Sequence, residues 1–396
     1  MDNNWQTKKL GEVCDIINGS TPLRSKKEFW DNGDIPWFTI DDIREQGRII
    51  QHTKQKITQL ALGKMSSRLL PPRSILLCCT ASVGEYAMTT LSLTTNQQFN
   101  GLIIKDKALI IPDYLFYFSS TLKDKLLGMS GKSTIDFIPI SRLKNIEINF
   151  PLLADQRRIV KILDEAFAAI AKAKDNTEKN LQNSHELFET YLKNIFANPG
   201  KDWEEKRINE VCELKSGTTI SPSLERKDGD VLYTKIADMN LPENIIEIRT
   251  SSRLVNSSEI KKSQIIPVGA IIFPKRGGAI ATNKKRKIVK PTIVDLNTMA
   301  IIPSNKIDNE YFYHWFRLIN LSNISNGTSI PQINNYSFDE IYITYPTSLK
   351  EQKIIVAKLD ALAGETKKLE EIFKQKLVLL EELKKSLLHQ AFSGEL

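Results

Sequence analysis

From Asp155 to Phe196 the apolar and small side chains fall at Ile159, Leu163, Ala166, Ile170, Ala173, Thr177, Leu181, Ser184, Phe188, Tyr191 and Ile195. Steps of four and three mark one stripe along a long helix. No glycine or proline interrupts it. About 40 residues at roughly 1.5 Å each make a rod on the order of 60 Å long, longer than a compact domain of about 150 residues is wide. Two successive steps of four, at Ala173, Thr177 and Leu181, form a stutter that relaxes a left-handed supercoil. Adding 196 to each position gives Ile355, Leu359, Leu362, Thr366, Leu369, Phe373, Leu377, Leu380, Lys384, Leu387 and Ala391, so the stutter recurs and only Lys384 breaks the stripe. Each helix is too long and one-sided to be stable alone, and matching seams predict a coiled coil between the two. Antiparallel pairing is expected, with the intervening globules at opposite ends of the rod.

The segments before each helix are also duplicated. Trp5, Lys8, Glu12, Val13, Cys14 and Gly19 return 198 positions later as Trp203, Lys206, Glu210, Val211, Cys212 and Gly217. Strand-like Trp37-Phe-Thr-Ile-Asp-Asp42 answers Tyr233-Thr-Lys-Ile-Ala-Asp238, each running into an acidic turn. Leu70-Pro-Pro-Arg-Ser-Ile-Leu-Leu77 answers Ile266-Pro-Val-Gly-Ala-Ile-Ile-Phe273, a turn feeding a buried strand. Asp113-Tyr-Leu-Phe-Tyr117 and Glu310-Tyr-Phe-Tyr-His314 read as short aromatic helices with acidic starts. The order is globule, long helix, globule, long helix, with domains at 1–151, 152–197, 198–346 and 347–396. Short strands mixed with a few helices give an α+β class: two pseudo-repeated globules separated by two long helices that form an antiparallel coiled coil.

Composition narrows the chemistry. The chain has 396 residues, 41% hydrophobic, with a net charge of +8, which favours a polyanionic partner. Four cysteines without paired spacing exclude a cysteine zinc site and a disulfide framework, and point to a reducing cytoplasm. The start, Met-Asp-Asn-Asn-Trp, has no basic and apolar leader, and no apolar run approaches the roughly 18 residues of a membrane span.

Catalytic patterns do not assemble. Gly128-Met-Ser-Gly-Lys-Ser-Thr134 imitates a phosphate loop, but Leu126 stands where its first glycine belongs and Ser325-Asn-Gly-Thr-Ser329 in the second half has no lysine. His52, His185, His314 and His389 have no metal or catalytic spacing and read as structural or surface residues. Pro112-Asp113 with Glu225-Arg-Lys227 imitates a nuclease motif across two different halves, and Pro71-Pro72 lacks the aromatic residue of an adenine methyltransferase motif. Basic loops do stand out. Lys275, Arg276, Lys284, Lys285, Arg286 and Lys287 lie within 13 residues, and Arg24, Lys26, Lys27, Arg44, Arg48, Lys54 and Lys56 are spread over the first globule. A solvated charge run is the alternative; glycines beside the cations of the second cluster tilt it toward DNA phosphate contacts. Thr80, Ser82, Gln97, Gln98, Gln332 and Asn334 are candidates for base edges, and the hydroxyl-rich turns at Lys132, Ser133, Thr134, Thr328 and Ser329 either bind phosphate or simply close a turn.

Both helix starts carry a shared signature. Asn149-Phe-Pro-Leu-Leu-Ala-Asp-Gln156-Arg-Arg-Ile-Val-Lys-Ile-Leu-Asp164 and Thr344-Tyr-Pro-Thr-Ser-Leu-Lys-Glu-Gln352-Lys-Ile-Ile-Val-Ala-Lys-Leu-Asp360 resemble those of type I restriction-modification specificity subunits, as do the Trp5 and Trp203 segments and the closing Leu387-Leu-His-Gln-Ala-Phe-Ser-Gly-Glu-Leu396. The first helix end, Ile195-Phe-Ala-Asn-Pro-Gly200, departs from the Phe-Ser-Gly-Glu-Leu form. The resemblance implies a cytoplasmic, non-catalytic subunit whose globules are target recognition domains for a bipartite, asymmetric duplex DNA site. It implies two modification subunits using S-adenosylmethionine and two restriction subunits using ATP and Mg, with no cofactor held by this chain. The helices then act as a ruler for the gap between half-sites. A specificity protein of a related fused restriction enzyme, or a coiled-coil scaffold for protein or RNA, are the alternative readings.

Overall fold

The computed structural model describes residues 5–66, 68–129, 138–327 and 329–396. The chain divides into two compact units, Met1–Glu178 with Gln375–Leu396, and Lys179–Lys374. The boundary therefore falls inside both long helices, Leu153–Ala197 and Leu349–Ser393, which are 45 residues each.

The first unit contains β1 (Gln6–Lys9), β2 (Cys14–Asn18), β3 (Ile35–Phe38), β4 (Ile49–Ile50), β5 (Gln55–Ile57), β6 (Ile75–Cys78), β7 (Tyr86–Thr89), β8 (Thr94–Thr95), β9 (Phe99–Ile104) and β10 (Glu147–Phe150). A five-stranded sheet runs β2-β9-β6-β7-β4, a three-stranded one β5-β3-β8, and β1 pairs with β10. The second unit contains β11 (Trp203–Arg207), β12 (Cys212–Ser216), β13 (Val231–Thr234), β14 (Glu247–Ile248), β15 (Leu254–Val255), β16 (Ile271–Pro274), β17 (Arg286–Ile288), β18 (Thr292–Val294), β19 (Thr298–Pro303) and β20 (Tyr342–Pro346). Its sheets run β12-β19-β16-β17-β14 and β15-β13-β18, with β11 on β20, so every pairing of the first unit recurs. The parallel pairs recur as well: β3 with β8 and β4 with β7 answer β13 with β18 and β14 with β17.

Matched residues hold matched places for physical reasons. A Cβ at Gly19 would sit 2.0 Å from the Asn96 carbonyl oxygen, and one at Gly217 would sit 1.9 Å from that of Asp295, so only glycine allows the turn after β2 or β12. The acidic turns are caps: buried Asp42 accepts the amides of Thr39 and Lys54, and buried Asp238 those of Lys235 and Ser252. Cys14 and Cys212 lie against their cores, where burial pushes both thiols up to about 12 and keeps them unreactive.

Each long helix is tied to a globule by a buried glutamine. Gln156 accepts the Ile111 amide at 3.1 Å and donates to the carbonyls of Leu109 and Pro151 at 2.8 and 2.9 Å. Gln352 repeats this with the Asp308 amide at 2.7 Å and the carbonyls of Lys306 and Pro346 at 3.0 and 2.8 Å. Backbone groups of two loop ends that would otherwise be buried and unpaired are thereby satisfied.

Within the first unit, Ile159 and Leu163 share a core with Leu388 and Ala391, Lys174 pairs with Glu381 at 2.9 Å, and Phe392 packs on Tyr114 and Phe118. Within the second, Phe188 and Leu192 pack on Leu359, His185 pairs with Glu370 at 2.8 Å, and Phe196 packs on Tyr311. In both units residue numbers rise along one helix as they fall along the other, so the pairing is antiparallel. Ile170, Thr177, Ser184 and Thr366 are buried along the seam, and the hydroxyls of Thr177, Ser184 and Thr366 bond back to their own helix carbonyls. Leu181, Ile195, Ile355, Phe373, Leu377 and Leu387 are half-buried. Two expectations are corrected: Leu369 is 39% exposed and Tyr191 lies on the solvent side, while Leu192 and Leu388 carry the buried positions. One residue of drift, about 100° around the helix, separates Tyr191 from Leu192 and Leu387 from Leu388 in these end turns.

Candidate nucleic-acid interface

In the first unit three loops meet where β2, β6 and β8 end. Gly19 donates to the Phe99 carbonyl at 3.0 Å, Ser20 to that of Thr95 at 2.9 Å, and Cys79 to that of Gln98 at 2.9 Å. Thr21 and Gln97 are joined through their side chains, and Asn96 donates to Gln98 Oε1 at 3.0 Å. The structure thus brings Gln97 and Gln98 beside the loop that carries Thr80 and Ser82. Ser82 and Arg44 line one hollow of about 470 Å3 together with Lys123, Glu85 and the apolar Ile40, Ile43, Val83 and Leu127. Arg24 stacks 3.8 Å from the Trp30 ring centroid and 4.8 Å from that of Trp37, and donates to Gln55 at 2.6 Å. That stack holds an exposed guanidinium in one orientation. Lys26 lies near Glu28 at 3.7 Å, Arg44 pairs with Asp41 at 2.9 Å, and Lys27 is exposed. Exposed pairs of this kind are worth under about 1 kcal/mol and yield readily to a phosphate.

The second unit uses the same loop ends with different side chains. Lys275 donates its amide to the Asn297 carbonyl at 2.8 Å and its ammonium to Ser216 Oγ at 3.0 Å. Burial, and then neighbouring Arg276, lower that ammonium from its ordinary value. Exposed Arg276 stands opposite Gln332 in a short bridge, and Gln332 also pairs with Asn326 through both backbone bonds at 2.8 and 2.9 Å. Tyr336 receives the amides of Asn326 and Asn334, each at 3.0 Å, and stays 60% exposed; aromatic spacing alone gives no signal for it. Ser329 is exposed on this loop. Lys132, Ser133, Thr134 and Thr328 lie outside the described residues.

The run from Lys284 to Lys287 does not join these loops as one patch. Lys284 is bonded to Asn240, Arg286 donates to the Met239 carbonyl, and Lys285 and Lys287 turn inward toward the helix Asn309–Arg317. Lys287 is paired with Glu310 at 2.8 Å and Glu247 at 3.2 Å; burial would lower its ammonium, but those carboxylates outweigh it and hold it above its usual value. Neighbours that look like one cluster in sequence thus go to different partners: Lys284 to Asn240, Arg286 to the Met239 carbonyl, and Lys285 and Lys287 to the aromatic helix. Among the described residues no group of three or more histidine, cysteine or acidic side chains is placed to hold a metal, and no helix is long and apolar enough to cross a membrane.

Comparison with known proteins bears on what these loops contact. A profile of the type I restriction modification DNA specificity domain matches residues 2–180 and again 200–378. The specificity subunit of the type I restriction enzyme MjaIX from Methanocaldococcus jannaschii is 28% identical over 367 residues, 87% of this chain and 83% of that protein. That of the EcoprrI enzyme from Escherichia coli is 27% identical over 385 residues, 93% of this chain and 90% of that protein. The crystal structure of the HsdS subunit from Thermoanaerobacter tengcongensis matches the fold with a TM-score of 0.70 at 17% identity, covering 100% of this chain and 98% of that one. A chain from a study of assembly and conformational transition in the type I R-M system matches with a TM-score of 0.80 at 17% identity, covering 100% and 99%.

Proposed function

The chain belongs to the type I restriction-modification DNA specificity family, a family of non-catalytic recognition subunits, and from that premise we propose how its two domains divide the work. Each domain reads one half of a bipartite, asymmetric duplex target through the loop ends that follow β2, β6 and β8 or β12, β16 and β18, the latter joined by the loop that sets Gln332 opposite Arg276. The observation that carries this reading is one scaffold, repeated strand for strand, that presents Arg24, Thr80, Gln97 and Gln98 in one half and Lys275, Arg276 and Gln332 in the other. Identical frames with different loops give different half-sites.

The partners are duplex DNA and the modification and restriction subunits of a type I complex, two of each. Those subunits supply the chemistry, with S-adenosylmethionine for adenine methylation and ATP and Mg for translocation and cutting. Mapping methylated adenines by long-read sequencing, in cells with and without this chain, tests the reading. Exchanging Gln97 and Gln98 for other polar residues should change one half-site and leave the other and the gap intact. A methylation pattern independent of this chain would overturn it.

A further inference from the structure

Lys285, just before β17, is only 5% exposed. Its ammonium donates to Asn283 Oδ1 at 3.0 Å and to the Ile319 carbonyl at 2.6 Å, and lies 5.2 Å from the Phe316 ring centroid. None of these groups is an anion, and a buried cation without one is costly. Together with Glu189, Asn283, Arg286, Tyr313 and Arg317, Lys285 lines a cavity of about 300 Å3. Arg317 is paired with Glu189 at 2.9 Å, whereas the hydrogen bonds of Arg286 go to the carbonyls of Met239 and Lys285. The wall thus carries three cations against one carboxylate.

The first unit shows that the scaffold does not require this charge. The β6–β7 register places Leu77 opposite Tyr86, and the equivalent β16–β17 register puts Lys285 where Tyr86 stands. Tyr86 packs on Phe116, the counterpart of Tyr313, with ring centroids 5.1 Å apart. Ser120 stands in the place of Arg317. One unit therefore fills the position with an aromatic ring under Arg48, whose guanidinium lies 4.1 Å from that ring and is paired with Glu85 at 3.0 Å, while the other puts an ammonium with no carboxylate partner there and leaves a hollow.

We infer that this cavity binds a phosphate group, held by the ammonium of Lys285 and the planar forks of Arg286 and Arg317. Guanidinium pairs match phosphate oxygens two at a time, and the Tyr313 hydroxyl adds a donor. The volume lies at the lower end of small-ligand sites, which suits a phosphate bearing a small organic group. The site shares no residue with the loops assigned to base recognition, so it stands apart from the DNA-reading proposal. The phosphate comes either from a free phosphomonoester or from a DNA backbone. Burial, with Arg317 nearby, lowers the Lys285 ammonium to about 8, so an anion of fixed charge should bind more weakly as pH rises above that value, held there by the two guanidinium groups alone.

Calorimetric titration of the full chain with inorganic phosphate at constant ionic strength tests the inference. Saturable binding is expected, weakened by at least about tenfold in Lys285→Met and in Arg317→Gln. Lys285→Met keeps the side-chain length and removes a buried charge, so it should fold; circular dichroism checks both variants. Sulfate, whose charge does not titrate near neutrality, should lose affinity in the wild-type chain as pH rises through about 8, a readout that needs no variant. No saturable binding of either anion, or unchanged binding in two folded variants, overturns the inference. Competition by non-specific duplex identifies a DNA phosphate as the natural occupant, and simultaneous binding identifies a free phosphomonoester.

Discussion

Tyr117 and His314 occupy the same place in the aromatic helices of the two units, and each bonds the aspartate at the same point of a long helix: Tyr117 to Asp164, and His314 to Asp360 at 3.0 Å. Around them the buried glutamines, glycine turns and aspartate caps are the same. Only the titrating group differs. Burial, then the hydrogen bond to Asp164, raise the Tyr117 phenol, so it stays neutral and donates throughout the physiological range. His314, 4% exposed, has its imidazole lowered below 6.5 by burial, which outweighs Asp360. Duplication thus kept the anchor points and varied what they respond to. The loops diverged in the same way, as did the pair Tyr86 and Lys285.

The largest expected effect breaks what the units share. Gln156→Ala and Gln352→Ala each strand one amide and two carbonyls in a buried place, at about 1–3 kcal/mol per unsatisfied group. Each should cost on the order of 4 kcal/mol in denaturant unfolding, with lost amide protection confined to its own unit. A large loss in one unit and none in the other would mean that the glutamine clamp is not an equivalent anchor.

Lys285→Met comes next. Its folded-state ammonium sits near 8 against 10.5 unfolded, so between these values the unfolded chain holds more protons and wild-type stability rises with pH. Below pH 8 the buried charge opposes folding by about 3 kcal/mol. The stability of Lys285→Met relative to wild type should therefore fall by roughly that amount between pH 7 and pH 10.5. A flat difference would show an ammonium that is already compensated. No counterpart is expected for Tyr86 in this range.

These two residues also show what a sequence can reveal. The seams, the doubled order of elements and the glycines after β2 and β12 were legible because periodicity, spacing and a missing side chain leave marks in the chain itself. Gln156 and Gln352 stood inside the recognised signature, yet their role needs three carbonyl and amide partners from distant loops. Lys285 and Lys287 looked like part of an exposed run because charge density carries no direction; the aromatic helix turned them inward. Leu192 and Leu388 were missed since neighbouring Tyr191 and Leu387 fit the same stripe, and a one-residue drift is decided by packing at the helix ends. The interface loops were legible as polar and basic, while their convergence depends on backbone bonds such as Cys79 to Gln98.

A smaller effect separates the two aspartate latches. As pH falls below 6.5 the unfolded chain protonates this histidine before the folded one does, so His314 costs the second unit stability toward acid, whereas Tyr117, neutral throughout, gives the first no such loss. His314→Tyr copies the first unit and should abolish that acid-dependent difference in hydrogen exchange. His314→Phe, which keeps the ring without the bond to Asp360, should cost about 1 kcal/mol at neutral pH. If the acid loss persisted in His314→Tyr, another group would be responsible.

An effect on binding alone, with no loss of stability, sharpens the comparison of the reading loops. Arg276 is exposed on a glycine-flanked turn, a setting for a phosphate contact that any sequence provides. Arg276→Gln should weaken binding to all duplexes alike, measured with the modification partner present, and reduce the salt slope by about 0.9. Arg24 instead has its guanidinium plane fixed on Trp30, an orientation suited to a base edge. Arg24→Lys keeps the charge and therefore the salt slope, but loses the planar fork and the stack. Its expected outcome is a relaxed preference at one position of one half-site, by about 1–3 kcal/mol or less, with the other half-site untouched. An unchanged preference with a smaller slope would make Arg24 a phosphate contact, and the two loops would then differ in sequence without differing in role.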